Sequence, residues 1–361
     1  MNAARACAEA NNSSMNEDHS VTQNSRDSSS ATRPRSSAST ILSRLSGALA
    51  PLSFLLILVI VLSFTAQNFL TRGNIKQIAV QAAVVAILAC GQTAVIISGN
   101  IDLSVGAIMA FSGVAAGLAM SQLHVSIPVA ILIALGCGLT WGTISGLITA
   151  YGKIPSFIVT LGIMGIVHGM SGIVSHSQNV GGQPDGFEIF GFGELFGNAD
   201  RDGIPYAVLM MIFAAVIVHV ALSRTAWGRS LYAMGGNKEA ARLSGIKLTK
   251  AITSVFALSG ILAGFASIVN ISRSSVASMD AGVGLELDAV AAAVVGGTSL
   301  FGGQGSIPGT IIGAVLIYTI RNGCQLANLG TEYQRAIIGA VVILAVLYDR
   351  YGPGKRVAAA H

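Results

Sequence analysis

Apolar residues run along this chain in long blocks, separated by short polar or glycine-rich stretches. A block of about 20 mainly apolar residues is long enough to cross a bilayer as a helix. Ten such segments are read, near 47–66, 75–98, 104–121, 127–150, 155–176, 204–222, 251–271, 286–300, 306–322 and 333–348. The eighth and ninth are short and rich in glycine, which predicts partial spans. Non-helical backbone at membrane depth survives only where protein or a cavity shields it. The pattern is therefore weakest at 99–104 and 273–305. The first run, GALAPLSFLLILVIVLSFTA, is longer than a secretory signal core and carries no cleavage site, so it reads as a retained helix. Residues 1–46 before it are rich in Ser, Asn and Thr and predict a disordered tail. The expected fold is an all-α polytopic membrane protein of about ten helices, with a second tail over 350–361.

Composition agrees: 52% of the 361 residues are hydrophobic and 10% are charged, against about 25% charged in a soluble domain. Forty-three glycines suit helices that approach closely. Charge then sets the orientation. With the N-terminus in the cytoplasm and ten alternating spans, fifteen of the 21 basic residues fall inside and six outside. That bias is the one the positive-inside rule demands. Both termini and the basic loop 223–250 are then cytoplasmic, and 177–203, with five acids, is periplasmic. The net charge of +5 comes from loops and tail, with no basic face interleaved with aromatics, which excludes nucleic acid as a partner. Cys7, Cys90, Cys137 and Cys324 have no metal spacing and read as free thiols. His168, His176 and His219 read as isolated structural histidines. No metal, cofactor or catalytic residue is expected. A short echo, IDLSVGA at 101–107 and LELDAVA at 285–291, suggests an inverted five-plus-five repeat.

The sharpest local signal lies in the inside loop, GGNKEAARLSGIKL at 235–248. Asn237 is a good N-cap, the residues after it are mostly strong helix formers, and Gly245 suits the left-handed stop. Glu239 and Arg242 fall on neighbouring positions of one face. A helix of about two turns is marginal alone in water, so a partner surface is expected to hold it. Glu239, Ala240, Ala241 and Gly245 spell EAAxxxG, which resembles the coupling-helix motif of importer permeases that dock on ATP-binding-cassette ATPases. The longer form of that motif continues with an isoleucine and a Leu-Pro pair, where this chain has Val255-Phe256-Ala257.

Other stretches carry the same resemblance: GNIDLSVGAIMAFSG (99–113), KIPSFIVTLG (153–162), TAWGRSLYAMGGNKEAARLSGIK (225–247), ELDAVAAAVVGGTSLFGGQGSIPGTIIGA (286–314) and IRNG (320–323). They resemble the ribose/monosaccharide importer permease family, which includes permeases for galactosides, xylose, inositol and autoinducer-2. The resemblance runs from about residue 47 to 349. It implies an inner-membrane subunit that pairs with a second permease copy to form a dimeric pore.

 It also implies two ATPase domains in the cytoplasm and an external sugar-binding protein. The chain has no GxxxxGK[ST] phosphate loop, so ATP hydrolysis falls to the separate ATPase.

Along the route itself, a neutral polyhydroxyl solute needs polar donors and acceptors more than fixed charge. Asn100, Ser104 and Thr298 supply such groups, with Ser299 and Gln304. The acids nearest the membrane, Asp102, Glu286 and Asp288, have two readings. They are either N-terminal helix charges held by the dipole or groups lining the sugar route. The rival function is an ion-coupled secondary transporter of a small polar solute, which would want acids or histidines deep in its spans. A membrane scaffold without transport activity is a third class, and the interrupted eighth and ninth spans argue against it.

Overall fold

The protein is described from a computed structural model, which describes residues 37–197 and 203–351, with side chains over 51–197 and 203–347. The readings for 1–36 and 352–361 lie outside the described residues. Internal contacts divide the chain into Met1–Ile41 and Leu42–His361. Of the first unit only 37–41, the start of a helix, is described.

The chain is helical almost throughout. In order come α1 (Ser37–Thr65), α2 (Arg72–Ile97), α3 (Val105–Gln122), α4 (Ile127–Gly152), α5 (Ser156–Ser175) and α6 (Ile189–Phe192). A two-stranded antiparallel pair follows, β1 (Glu194–Leu195) with β2 (Ile204–Pro205). Then come α7 (Tyr206–Arg224), α8 (Ala226–Gly236), α9 (Lys238–Leu243), α10 (Leu248–Ser274), α11 (Leu285–Val295), α12 (Ile307–Leu326) and α13 (Thr331–Tyr351). Each of the ten apolar segments falls on one of these helices. Six of them, α2, α3, α4, α5, α7 and α10, are long and apolar enough to cross a membrane. Of the two segments read as partial spans, the eighth is one and the ninth is not. Helix α11 has 11 residues, about 16 Å at 1.5 Å per residue, and is a partial span. Helix α12 has 20 residues and is not short.

Helix α2 forms the centre, buried along almost all of its apolar stretch and contacting α7, α10, α11 and α12. Helices α4, α5 and α7 turn most of their surface outward. Helix α4 is held to α10 by glycine. A Cβ on Gly138 would meet the Gly260 carbonyl, one on Gly142 the Phe256 carbonyl, and one on Gly146 the Thr253 backbone. Backbone is thus packed on backbone, as small residues allow in a membrane bundle.

Candidate functional site

The first break in the bundle is 98–104, between α2 and α3. Its polar backbone has no helix to satisfy it, and neighbouring side chains do so instead. Ser156 Oγ accepts the Ile101 N–H at 3.0 Å, and Thr160 Oγ1 accepts the Leu103 N–H at 3.1 Å. Gln92 Nε2 donates to the Asp102 carbonyl at 2.9 Å. Asp102 is fully buried. Its Oδ1 accepts the Ser104 N–H at 2.9 Å and the Ser104 hydroxyl at 2.6 Å, and its Oδ2 accepts the Ser259 hydroxyl at 2.9 Å. Asp102 and Ser104 thus cap the start of α3. Asn100 turns its amide to Ser98, donating to the hydroxyl at 2.9 Å.

The second break surrounds α11. Gly282 lies against Gly106, where a Cβ on Gly106 would also meet the Glu286 carboxylate. The starts of α3 and α11, the two halves of the sequence echo, therefore meet. Glu286 is partly exposed, and its Oε1 accepts the Gly284 N–H at 3.1 Å. Asp288 is buried and accepts from Arg321 Nη2 at 2.7 Å and 2.5 Å, tying α11 to α12. Arg321 in turn lies over the Tyr318 ring, 5.5 Å from its centroid. Beyond α11 the chain doubles back. Gly297, Gly302 and Gly303 hold positive φ, and the Gly303 N–H donates to the Ile97 carbonyl at 2.8 Å. Thr298 is buried with its hydroxyl unpaired, beside Gly305.

Helices α8 and α9 form an arm on these breaks. Asn237 Oδ1 accepts the Ala240 N–H at 2.9 Å, the cap its residue type predicts. Gly245 stands at φ +85°, with its N–H on the Arg242 carbonyl and the Ile246 N–H on the Ala241 carbonyl. This is the Schellman arrangement that satisfies the last carbonyls. Arg242 grips Glu239 through both oxygens, which holds the Glu239 carboxyl below its ordinary value. Ala241 is 4% exposed and belongs to the chain's own core, while Leu243 is 75% exposed. The outward face of α9 is thus carried by Ala240 and Leu243 rather than by Ala241. At the other end of the arm, Gly235 is pressed on the Ile97 carbonyl and on Gly303, and the Tyr232 hydroxyl donates to the Gly305 carbonyl at 2.9 Å.

Two cavities open beside these elements. One of about 830 Å³ lies among the 99–101 backbone, Lys153, Ser156, Lys238 and Arg242. The other, of about 250 Å³, is lined by Ala107, Met164, His168, Met279, Val283 and Glu286. Of the sequence-read route residues, Asn100 lines the first and Glu286 the second, whereas Asp102, Ser104, Asp288 and Thr298 line neither. His168, read as isolated, has its Nε2 3.7 Å from Asp280 Oδ1. Glu194, in the loop read as periplasmic, is taken up within the chain by Lys76. Sequence reading missed Gln92, Ser156, Thr160 and Ser259. Ser156 and Thr160 stand one turn apart on one helix face, but nothing along the chain names the backbone they serve.

The chain matches the branched-chain amino acid transport system / permease component family over residues 74–346. It is 39% identical to the ribose import permease protein RbsC of Escherichia coli K12 over 297 residues, 82% of this chain and 91% of that one. It is 40% identical to RbsC of Bacillus subtilis over 306 residues, 84% of this chain and 92% of the relative. The L-arabinose ABC transporter permease protein AraH of Azospirillum brasilense is 34% identical over 301 residues, 83% and 87% of the two chains. No solved structure matches. A polytopic helical bundle with a capped arm seated on two broken helices, matched over most of its length, belongs to the branched-chain amino acid transport system / permease component family.

Proposed function

We propose that this chain is the pore subunit of an importer that carries a monosaccharide across the bacterial cytoplasmic membrane, driven by a separate ATP-binding-cassette ATPase. One observation carries the reading: α8, which runs into α9 at Asn237, meets both breaks in the bundle through Gly235 and Tyr232. A push on the exposed face of α9 therefore passes through α8 to 97–104 and 297–305. Asn237, Glu239, Arg242 and Gly245 shape the helix, Ala241 anchors it, and Ala240 and Leu243 meet the ATPase. The sugar class comes from relatives named for ribose and arabinose. The chain pairs with a second copy of itself in lipid, with both termini in the cytoplasm. An external sugar-binding protein docks on the periplasmic loop through Asp185 and Glu188, which are exposed; Glu194 is engaged by Lys76.

The test is uptake of labelled D-ribose, D-allose, L-arabinose and D-fructose by cells with and without this chain. ATP depletion is expected to stop uptake of at least one sugar, and collapse of the ion gradients at constant ATP is expected to spare it. The opposite pattern would favour the ion-coupled transporter.

A further inference from the structure

A charge at membrane depth is costly enough that each one calls for a reason. Asp102 has its reason in three hydrogen bonds and Asp288 in Arg321. Glu286 has no such partner: among the described residues no Lys, Arg or His pairs with it. It faces the 250 Å³ cavity together with His168. His168 stands about 18 Å along α5, a helix of 20 residues and so about 30 Å. The His168 wall of the cavity is thus a little past the middle of α5. The cavity opens beside a face of α5 where Gly162, Gly165 and Gly169 leave space free.

The geometry points to a subsite for one monosaccharide in this cavity. The inference rests on the reading of this chain as a sugar permease and adds the place where the sugar pauses. A neutral polyol that leaves water must exchange its hydration for protein hydrogen bonds, because an unpaired polar group costs several kcal/mol in an apolar medium. The Glu286 carboxylate accepts hydroxyl hydrogens on both oxygens, and a neutral imidazole both donates and accepts. Asp280 Oδ1 lies 3.7 Å from His168 Nε2, outside hydrogen-bond reach. Met164 and Met279 offer pliable apolar surface for the C–H face of a ring. A space of 250 Å³ equals the liquid share of roughly eight waters, which suits one sugar ring.

The test uses the full importer in proteoliposomes: this chain with its ATPase, supplied with its binding protein and the four sugars named above. Glu286→Gln removes the charge and Met164→Trp fills the cavity without touching charge. Glu286→Gln is expected to lower turnover by about tenfold, the weight of one hydrogen bond to a charged group, and Met164→Trp to lower it by excluding the sugar, both at an unchanged half-saturating sugar concentration. Val283→Cys, at a wall position 65% exposed, reports occupancy: sugar with ATP slows its reaction with a small methanethiosulfonate reagent. Wild-type turnover in both uptake variants overturns the subsite, and so does labelling that ignores sugar. Should an uptake variant fail to insert, the labelling result decides. A wild-type importer that carries none of the four sugars overturns the permease reading and the subsite with it.

Discussion

Replacing Asp102 separates a structural carboxylate from a transporting one. Its side chain receives three hydrogen bonds, from the Ser104 N–H and from the Ser104 and Ser259 hydroxyls, in full burial. Asp102→Ala would orphan the Ser104 N–H and hydroxyl, while the Ser259 hydroxyl can turn to the carbonyl one turn back. Each unsatisfied buried group costs about 1–3 kcal/mol, so the loss is on the order of 4 kcal/mol, a large part of a marginal protein's stability. Asp102→Asn keeps the shape. Its oxygen still accepts from Ser104, and its amide donates to Ser259 Oγ, whose own proton turns to the carbonyl one turn back, as serines in helices commonly do. What Asn loses is the extra strength of bonds to a charge, about 1 kcal/mol each, and this is offset by the removal of a buried charge. Asp102→Asn is therefore expected to insert, melt within a few degrees of wild type and transport sugar. Asp102→Ala is expected to be poorly inserted or to melt far earlier. The assay is membrane abundance, thermal melting in detergent and uptake, side by side. An Asp102→Asn protein that folds as wild type yet moves no sugar would show that the charge itself works in transport. An Asp102→Ala protein as stable as wild type would refute the capping argument.

Gly245→Val forces a side chain into a left-handed position at φ +85°, costing about 1 kcal/mol or more; it and Leu243→Asp should reduce co-purification of the ATPase, with uptake falling in step, while Lys250→Ala beyond the helix should not. Ala241→Trp is no clean probe of docking, because Ala241 is buried in the chain's own core. Gly142→Ala would drive a Cβ into the Phe256 carbonyl and part α4 from α10, for about 1–3 kcal/mol, read as a lower melting temperature; Gly162→Ala, in open space, should leave melting unchanged. In a cysteine-free background, Asn179→Cys should react from outside intact cells with an impermeant thiol reagent and Lys247→Cys should not; the reverse overturns the orientation.

The sequence by itself determined that this chain is a helical membrane bundle, where its ten apolar segments lie, and where α9 begins and ends. These are local properties: a run of apolar residues forms a helix in lipid whatever its neighbours, and Asn237 and Gly245 cap a helix through their own backbone and side-chain geometry. Tertiary structure decided what faces what. Asp102 and Glu286 look alike along the chain, each an acid before a small-residue helix. Only the fold surrounds the first with Ser104 and Ser259 and leaves the second facing a cavity. Ala240 and Ala241 are chemically identical neighbours, yet one turns outward and the other into the core, because six residues of helix hold too little hydrophobic pattern to fix a face. His168 and Asp280 lie 112 positions apart and meet only because α5 packs beside the turn before α11. A partner contributed from far along the chain leaves no local spacing to read, so burial and pairing, which decide what an ionisable group can do, belong to the folded bundle.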